Sequence, residues 1–462
     1  MTLAVALDFE ATRIKAGLLG GNGRLERVIS TPAPPLRGMD PIREGDAVPY
    51  VEVAAGMLRE VSGSLPRGTP LGLACQRSTF LLWDRRTGEP ATPMISWLDR
   101  RAAGWCNRHA AIARRVALQT GLRLSPHYAG PKLATILEAE PGLWDRLRTG
   151  RLVFGNLDAY VLSTWSGERS HETDLSMAAR TLLADLAHGW NDEMLELFGV
   201  PRSCLPEIRA TVGKRVPLPL GPTVTATIAD QASSVLAALG SERDAVLVNL
   251  GTGGFVLRAI GETPAPMERY LCGPILCGPD GRRFYALEGT INGVSVATDR
   301  FGAGPTELPE EDPTPDAFCL PDAAGVGSPH WLPELSLLFS PPAHALEDRL
   351  ARRIVLEGIL FRVHEILDDL CREASPSRLL LSGGLARDPF LPQGLASCLR
   401  REVEVLEEPE ATLLGVARLA AGLEPHAGLG TVPFSPGRGG GYLRTKYERW
   451  KSWLREVLPR AE

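Results

Sequence analysis

Cysteine is sparse in this chain. Its 8 cysteines in 462 residues include no C-x-x-C pair and no Cys/His grouping at zinc spacing. A disulfide framework and a structural zinc site are both excluded, and reduced thiols in the cytoplasm are expected. An excess of either charge sign is also missing: 50 basic against 55 acidic residues leave a net charge of −5. So weak a field gives no broad footprint for nucleic acid or an anionic membrane, and neither is expected as a partner. No apolar run reaches about 18 residues, the length of a membrane-spanning helix. The first residues lack the basic segment and long apolar stretch of a signal peptide. Hydrophobic residues at 44% and charged residues at 23% fit a folded globular protein of two or three domains.

What is present is an alternation of short apolar runs and tight turns. Leu3 to Leu19, LAVALDFEATRIKAGLL, reads as strand, turn, strand, and Gly20-Gly21-Asn22-Gly23 as the next hairpin turn. The pattern recurs at Ala245 to Leu257, with the turn Gly251-Thr252-Gly253-Gly254. Two such turns about 240 residues apart hint at internal duplication, although their side chains hardly match. Helical spacing marks Val48–Ser62, Asn156–Ser166, Gln231–Leu239, about Leu346–Glu373, Pro389–Arg400 and Ala411–Gly422. Strands are expected at Pro70–Cys75, Thr79–Trp83, Thr223–Ala229, Arg283–Leu287 and Arg378–Ser382. The composition of 303–333 reads as loop, and that of 425–438 as a Gly/Pro linker. Beyond it, Tyr447, Trp450, Trp453, Leu454 and Leu458 can share one face of a docking helix with a solvated basic side.

Several segments, in order, resemble the FGGY family of carbohydrate kinases. They are Ile95-Ser96-Trp97-Leu98-Asp99-Arg100-Arg101; Lys132-Leu133 with Pro141 and Trp144; Thr173-Asp174-Leu175-Ser176; Ala179-Arg180-Thr181; Trp190; Leu205-Pro206; Glu288-Gly289; and Gly383-Gly384. The resemblance implies an α/β protein of two actin-like, ribonuclease-H-like ATPase domains with an interdomain cleft. It divides the chain into 1–240 (sugar site, first phosphate turn, base), 241–425 (nucleotide site) and 426–462 (linker and helix). It implies ATP-dependent phosphorylation of a hydroxyl on a small polyol or sugar, with Mg²⁺. It also implies assembly as a homodimer or homotetramer.

Phosphoryl transfer needs an aligned acceptor, a proton acceptor and positive groups around the phosphate. By resemblance Asp230 is the base and Gln231 a substrate neighbour, although an Asp before a helix also suits an N-cap, with Ser233 at N3. Asp8 ends the first strand and would position Mg²⁺ through water. Thr12 and Lys15 match the family's turn hydroxyl and following basic residue. Gly251, Thr252 and Gly253 suit a turn that aims N–H groups at phosphate, and Gly383, Gly384 and Asp388 resemble the adenosine side. For the acceptor, Gln76, Arg77, Ser78, Trp97, Asp99 and His127 resemble most closely the glycerol kinase branch, with xylulose-type ketoses the other option. That branch has Glu where Ser78 stands and Tyr where His127 stands.

The first phosphate turn departs further from the family. Glu10 replaces Gly, and Ala11 replaces a hydroxyl residue. A carboxylate ~4 Å from a phosphate charge would repel it by about 4 kcal/mol at an effective dielectric of ~20. Pointing away, pairing with Arg13 or sharing Mg²⁺ would each relieve Glu10. A rival reading follows: a degenerate kinase fold that binds sugar or nucleotide without phosphotransfer.

Overall fold

Ala4 to Phe9 are all buried, as a strand covered on both faces requires. They form most of β1 (Thr2–Phe9) in a computed structural model that describes the chain apart from 167–169, 241, 243, 303–306, 342–345, 438 and 459–462. The chain turns at Glu10 into β2 (Arg13–Gly20), antiparallel to β1 with Phe9 opposite Ile14. Gly23, at φ +73°, then turns it into β3 (Leu25–Pro32). Helix α1 (Ala47–Ser62) starts where the Asp46 carboxylate accepts the Val48 N–H. After it, β4 (Pro70–Cys75) runs parallel to β1. β5 (Val212–Pro217) and β6 (Thr223–Ala229) complete the sheet in the order β5–β6–β4–β1–β2–β3. Helix α2 (Asp230–Leu239) leaves directly from β6.

A second set repeats this arrangement. β7 (Val246–Leu250) and β8 (Gly254–Gly261) form a hairpin, and β9 (Arg283–Ile291) lies beside β8. β10 (Leu379–Ser382) runs parallel to β7, and β11 (Val403–Leu406) parallel to β10. β12 (Thr431–Phe434) closes the order β9–β8–β7–β10–β11–β12. The inner strands of both sheets thus follow one plan: a hairpin, then two strands parallel to its first member. The duplication hinted at by two turns is present in the topology, where it does not depend on matching side chains.

Cα proximity divides the chain into two compact units that are not contiguous in sequence. One comprises Met1–Ser241, Ile260–Ala286 and Glu410–Ala427, and the other Glu242–Ala259, Leu287–Pro409 and Gly428–Glu462. Helix α3 (Asp348–Leu370) and helix α4 (Phe390–Leu399) belong to the second unit. Helix α5 (Ala411–Ala420) belongs to the first and packs on β1 and β4.

Three local expectations need correction. The Gly/Pro stretch after 425 is not all linker: Thr431–Phe434 pairs antiparallel with β11. As an edge strand it tolerates Pro433. Within the expected loop 303–333, Cys319–Leu320 makes a short ladder with Leu338–Phe339; 303–306 lie outside the described residues. The last helix, α6 (Tyr442–Val457), buries Tyr447, Trp450 and Leu454 as expected. Its basic side is not wholly solvated, because Lys446 is also buried, with Nζ 2.6 Å from Glu357 and 3.1 Å from Asp312.

Candidate active site

Parallel strands align their carboxyl ends, and in the first unit three end on one rung. Phe9 of β1 and Ala229 of β6 both pair with Cys75 of β4. The next residues, Glu10, Gln76 and Asp230, therefore leave the sheet together, two residues past Asp8. Open α/β sheets bind ligands at this edge. Gln76 is fastened there by its N–H, which donates to the Phe9 carbonyl at 3.0 Å. Asp230 occupies the first turn of α2, and Ala229 is the N-cap. Its Oδ1 accepts the N–H of Gln231 at 2.7 Å. The capping alternative is thereby corrected, because Asp230 lies inside the first turn rather than at the cap; the Ser233 hydroxyl donates to the Thr412 carbonyl.

Asp8 is 1% exposed, and its Oδ1 is buried without a hydrogen-bond partner. Burial first, then the charges of Glu10 and Asp230, push its pKa well up, while Lys15 opposes. A carboxylate so placed wants a cation. Among the described residues, no three His, Cys, Asp or Glu side chains group closely enough to hold a metal by themselves. Asp8 alone would suit a hard cation that keeps much of its own water.

Glu10 does not pair with Arg13, whose Nε donates to Ser30 at 2.7 Å. It pairs with Lys15 at 2.8 Å, and Lys15 reaches Glu410 at the same distance. Burial lowers the Lys15 pKa, but the bonds to the two carboxylates outweigh it and hold it raised. The Glu10 carbonyl accepts the Tyr50 hydroxyl at 2.5 Å, which fixes the turn. Thr12 is exposed at its tip.

The acceptor-side residues form a connected layer. Gln76 Oε1 accepts from Thr79, whose hydroxyl oxygen accepts the Trp97 N–H, each at 3.1 Å. The Trp97 ring lies 5.6 Å from His127. Ser78 adopts φ +62°, rare for a non-glycine residue, and donates to the Arg180 carbonyl at 3.0 Å. Arg77 is half-buried. Burial first, then the charges of Lys132, Arg77, Arg180 and Arg100, hold the His127 pKa well below its ordinary value. Lys132 is fully buried and donates to the Ser96 carbonyl at 2.7 Å; burial pulls its pKa down to about 7. Asp99 is fully buried, with its oxygens taken by Arg101 and by the Arg43 N–H at 2.7 Å. Its hydrogen bonds hold the Trp97–Arg101 loop.

In the second unit the two glycine turns are neighbours. Asn249 of β7 pairs with Ser382 of β10, so Gly251–Gly253 and Gly383–Gly384 follow at one edge. The Gly251 N–H donates to the Gly253 carbonyl at 2.9 Å. Gly383 has φ +93°, and a Cβ there would lie 2.4 Å from the Leu250 carbonyl oxygen, so only glycine fits. Around Gly251 and Gly384 the backbone is open. Asp388 accepts from Phe390 N–H and from Arg352, at 3.0 and 3.2 Å.

Two family models match the chain: the N-terminal domain of the FGGY family of carbohydrate kinases over residues 3–215, and its C-terminal domain over 246–423. A glycerol kinase of Methylobacterium nodulans is 32% identical over 405 residues, covering 81% of this chain and 80% of the relative. The chain belongs to the FGGY family of carbohydrate kinases. Its fold matches the Plasmodium falciparum glycerol kinase crystallised with ADP (TM-score 0.86, 20% identity, 99% of both chains). It also matches the Lactobacillus acidophilus xylulose kinase (TM-score 0.84, 17% identity, 98% of both chains). As an FGGY kinase it is a phosphotransferase that uses ATP to phosphorylate a hydroxyl of a small polyol or sugar. The binding-only alternative finds no support.

Sequence reasoning left Glu410, Tyr50 and Arg180 off the site. Glu410 is 395 residues from Lys15, and no local signal could pair them. Arg180 was visible within Ala179-Arg180-Thr181, but its closeness to Ser78 depends on the fold.

Proposed function

We propose that Asp230 takes the acceptor hydroxyl's proton as that oxygen attacks the γ-phosphorus of ATP. One O–P bond forms, the bond from the γ-phosphorus to the bridging oxygen breaks, ADP leaves, and the proton rests on the Asp230 carboxylate. The observation that carries this reading is the common rung of Phe9, Cys75 and Ala229, from which Asp230, Gln76 and the first turn all emerge. Asp8, helped by water, would hold Mg²⁺, which when bound offsets phosphate charge. Thr12 and Lys15 would meet the phosphates, with Gly251, Thr252 and Gly253 supplying a second turn. Gly383, Gly384 and Asp388 would face the adenosine. Gln76, Arg77, Ser78, Trp97, His127 and Gln231 would contact the acceptor, with Asp99 beneath them.

This reading assigns acceptor and base to 1–240 and nucleotide to 241–425, while 426–462 closes the chain with an edge strand and a docked helix. The names of the relatives favour a glycerol-like or ketose acceptor. No helix of the described residues is long and apolar enough to cross a membrane, and a cytoplasmic homodimer or homotetramer is proposed on the family resemblance. Asp230→Asn tests the chemistry: kcat should fall roughly 10²–10⁴-fold, the usual share of a general base, with acceptor binding by calorimetry nearly unchanged. A variant that keeps its full kcat removes Asp230 as the base.

A further inference from the structure

The segment Thr173-Asp174-Leu175-Ser176 carries part of the family resemblance, yet the site described above gives it no task. All four side chains are buried in the first unit, and they meet the strand that leads into Asp230. The antiparallel register of β5 on β6 runs to Val212 opposite Ala226. Beyond it, two alternate N–H groups of β6 are held by other groups. The Thr227 N–H donates to the Thr211 carbonyl at 3.0 Å. The Ala229 N–H donates to the Ser176 hydroxyl oxygen at 2.9 Å. Ala229 is the N-cap of α2, the residue just before Asp230.

An ionised carboxylate can only accept, so it decides which way a neighbouring hydroxyl points. Asp174 Oδ1 accepts the Ser176 N–H at 2.7 Å and the Ser176 hydroxyl as well. With that proton committed, the Ser176 oxygen offers only lone pairs, and the Ala229 N–H takes one. Asp174 Oδ2 accepts the Thr211 hydroxyl at 2.6 Å, whose oxygen in turn accepts the Cys277 N–H at 2.9 Å. One carboxylate thus orients both residues that fasten the end of β6. Buried Lys214 supplies the counter-charge: burial raises the Asp174 pKa, and Lys214 is the first group to oppose it. The Thr173 hydroxyl makes a separate bond, to Asp158 at 2.8 Å.

We propose that Ser176, oriented by Asp174, is a positioning residue for Asp230. It fixes the peptide before the base, so that the carboxylate meets the acceptor hydroxyl already aligned. Buried as it is, Ser176 acts on the reaction only through that peptide. This rests on the reading of Asp230 as the base and goes beyond it.

The test is ADP release from ATP–Mg²⁺ with glycerol, erythritol or xylulose as acceptor, in the wild type, Ser176→Ala, Asp230→Asn and the double variant. Ser176→Ala should lower kcat roughly 10–100-fold, the scale of a misplacement of about 1 Å. Both KM values should stay within about twofold. In the Asp230→Asn background the same change should alter kcat by less than about twofold, because no base is left to align. Thr173→Val breaks a buried hydroxyl–carboxylate bond in the same segment without touching Ala229; it should lower Tm and keep kcat. Ser176→Cys keeps the volume and weakens the acceptor. It should follow Ser176→Ala in each background, and it carries the test if the alanine variant does not fold. Three results overturn the positioning role and leave Asp230 as the base: equal losses in both backgrounds, an unchanged kcat in Ser176→Ala, or as large a loss in Thr173→Val. Full kcat in Asp230→Asn alone removes the base and this assignment with it. No ADP release with any of the three acceptors overturns the polyol or ketose reading and removes the reaction that Ser176 would serve.

Discussion

At the scale of single residues, the site is a set of charges whose neighbours decide their state. Glu10 occupies the place of a family glycine and takes up Lys15, the cation expected to meet phosphate. Replacing it with Gly should free Lys15 in part and lower KM for ATP by roughly fivefold, on the ~1 kcal/mol scale of a partly exposed ion pair. A higher KM would mean that Glu10 helps to bind the nucleotide. Lys132 gives a pH prediction. Its pKa is about 7 in the folded chain and roughly 10.4 unfolded. Between those values the unfolded chain holds the extra proton, so stability rises with pH across the window. Lys132→Met should flatten that part of the Tm–pH curve; an unchanged slope would show that Lys132 does not contribute it. At this scale the strand ends that carry Asp8 and Asp230, and the two glycine turns, were legible from apolar runs and turn composition. The second carboxylate on Lys15 was not, because Glu410 comes from another part of the chain.

At the scale of elements, edges and helix faces set what the pattern alone left open. Strands with unbroken apolar runs, such as β1 and β4, were readable because both their faces are covered. β12 was not: it carries a proline, is largely exposed and lies in a Gly/Pro stretch, so only the fold's open edge makes it a strand. The apolar stripe of α6 was visible as a docking face, whereas the burial of Lys446 was hidden, since its anions sit on α3 and in the preceding loop. Burial raises the Glu357 pKa against the pull of Lys446. Lys446→Met should leave that carboxyl buried without its cation and cost about 3–5 kcal/mol in urea unfolding. Adding Glu357→Leu should recover much of the loss. If the single variant is as stable as the parent, the pair does not fasten α6.

At the scale of the whole molecule, the family and the two-sheet plan could be read because motifs kept their order along some 400 residues. The composition of each unit could not, since membership follows packing rather than chain order. The cysteines of the described residues are all free, and most are buried. Burial raises their pKa values, for example Cys75 well above the ordinary thiol and Cys204 to about 12, which leaves them poor nucleophiles. Tm should therefore be the same with and without dithiothreitol, and a fall on reduction would reveal a disulfide. Helix α5 has a consequence for biosynthesis. It presses the Val416 carbonyl so close to Gly72 that a Cβ there would come within 2.4 Å, and its preceding residue, Glu410, grips Lys15. A nascent polypeptide that has emerged from the ribosome only as far as β6 lacks the helix that covers β1 and β4, so that sheet must wait, partly bare, for a segment translated well after it.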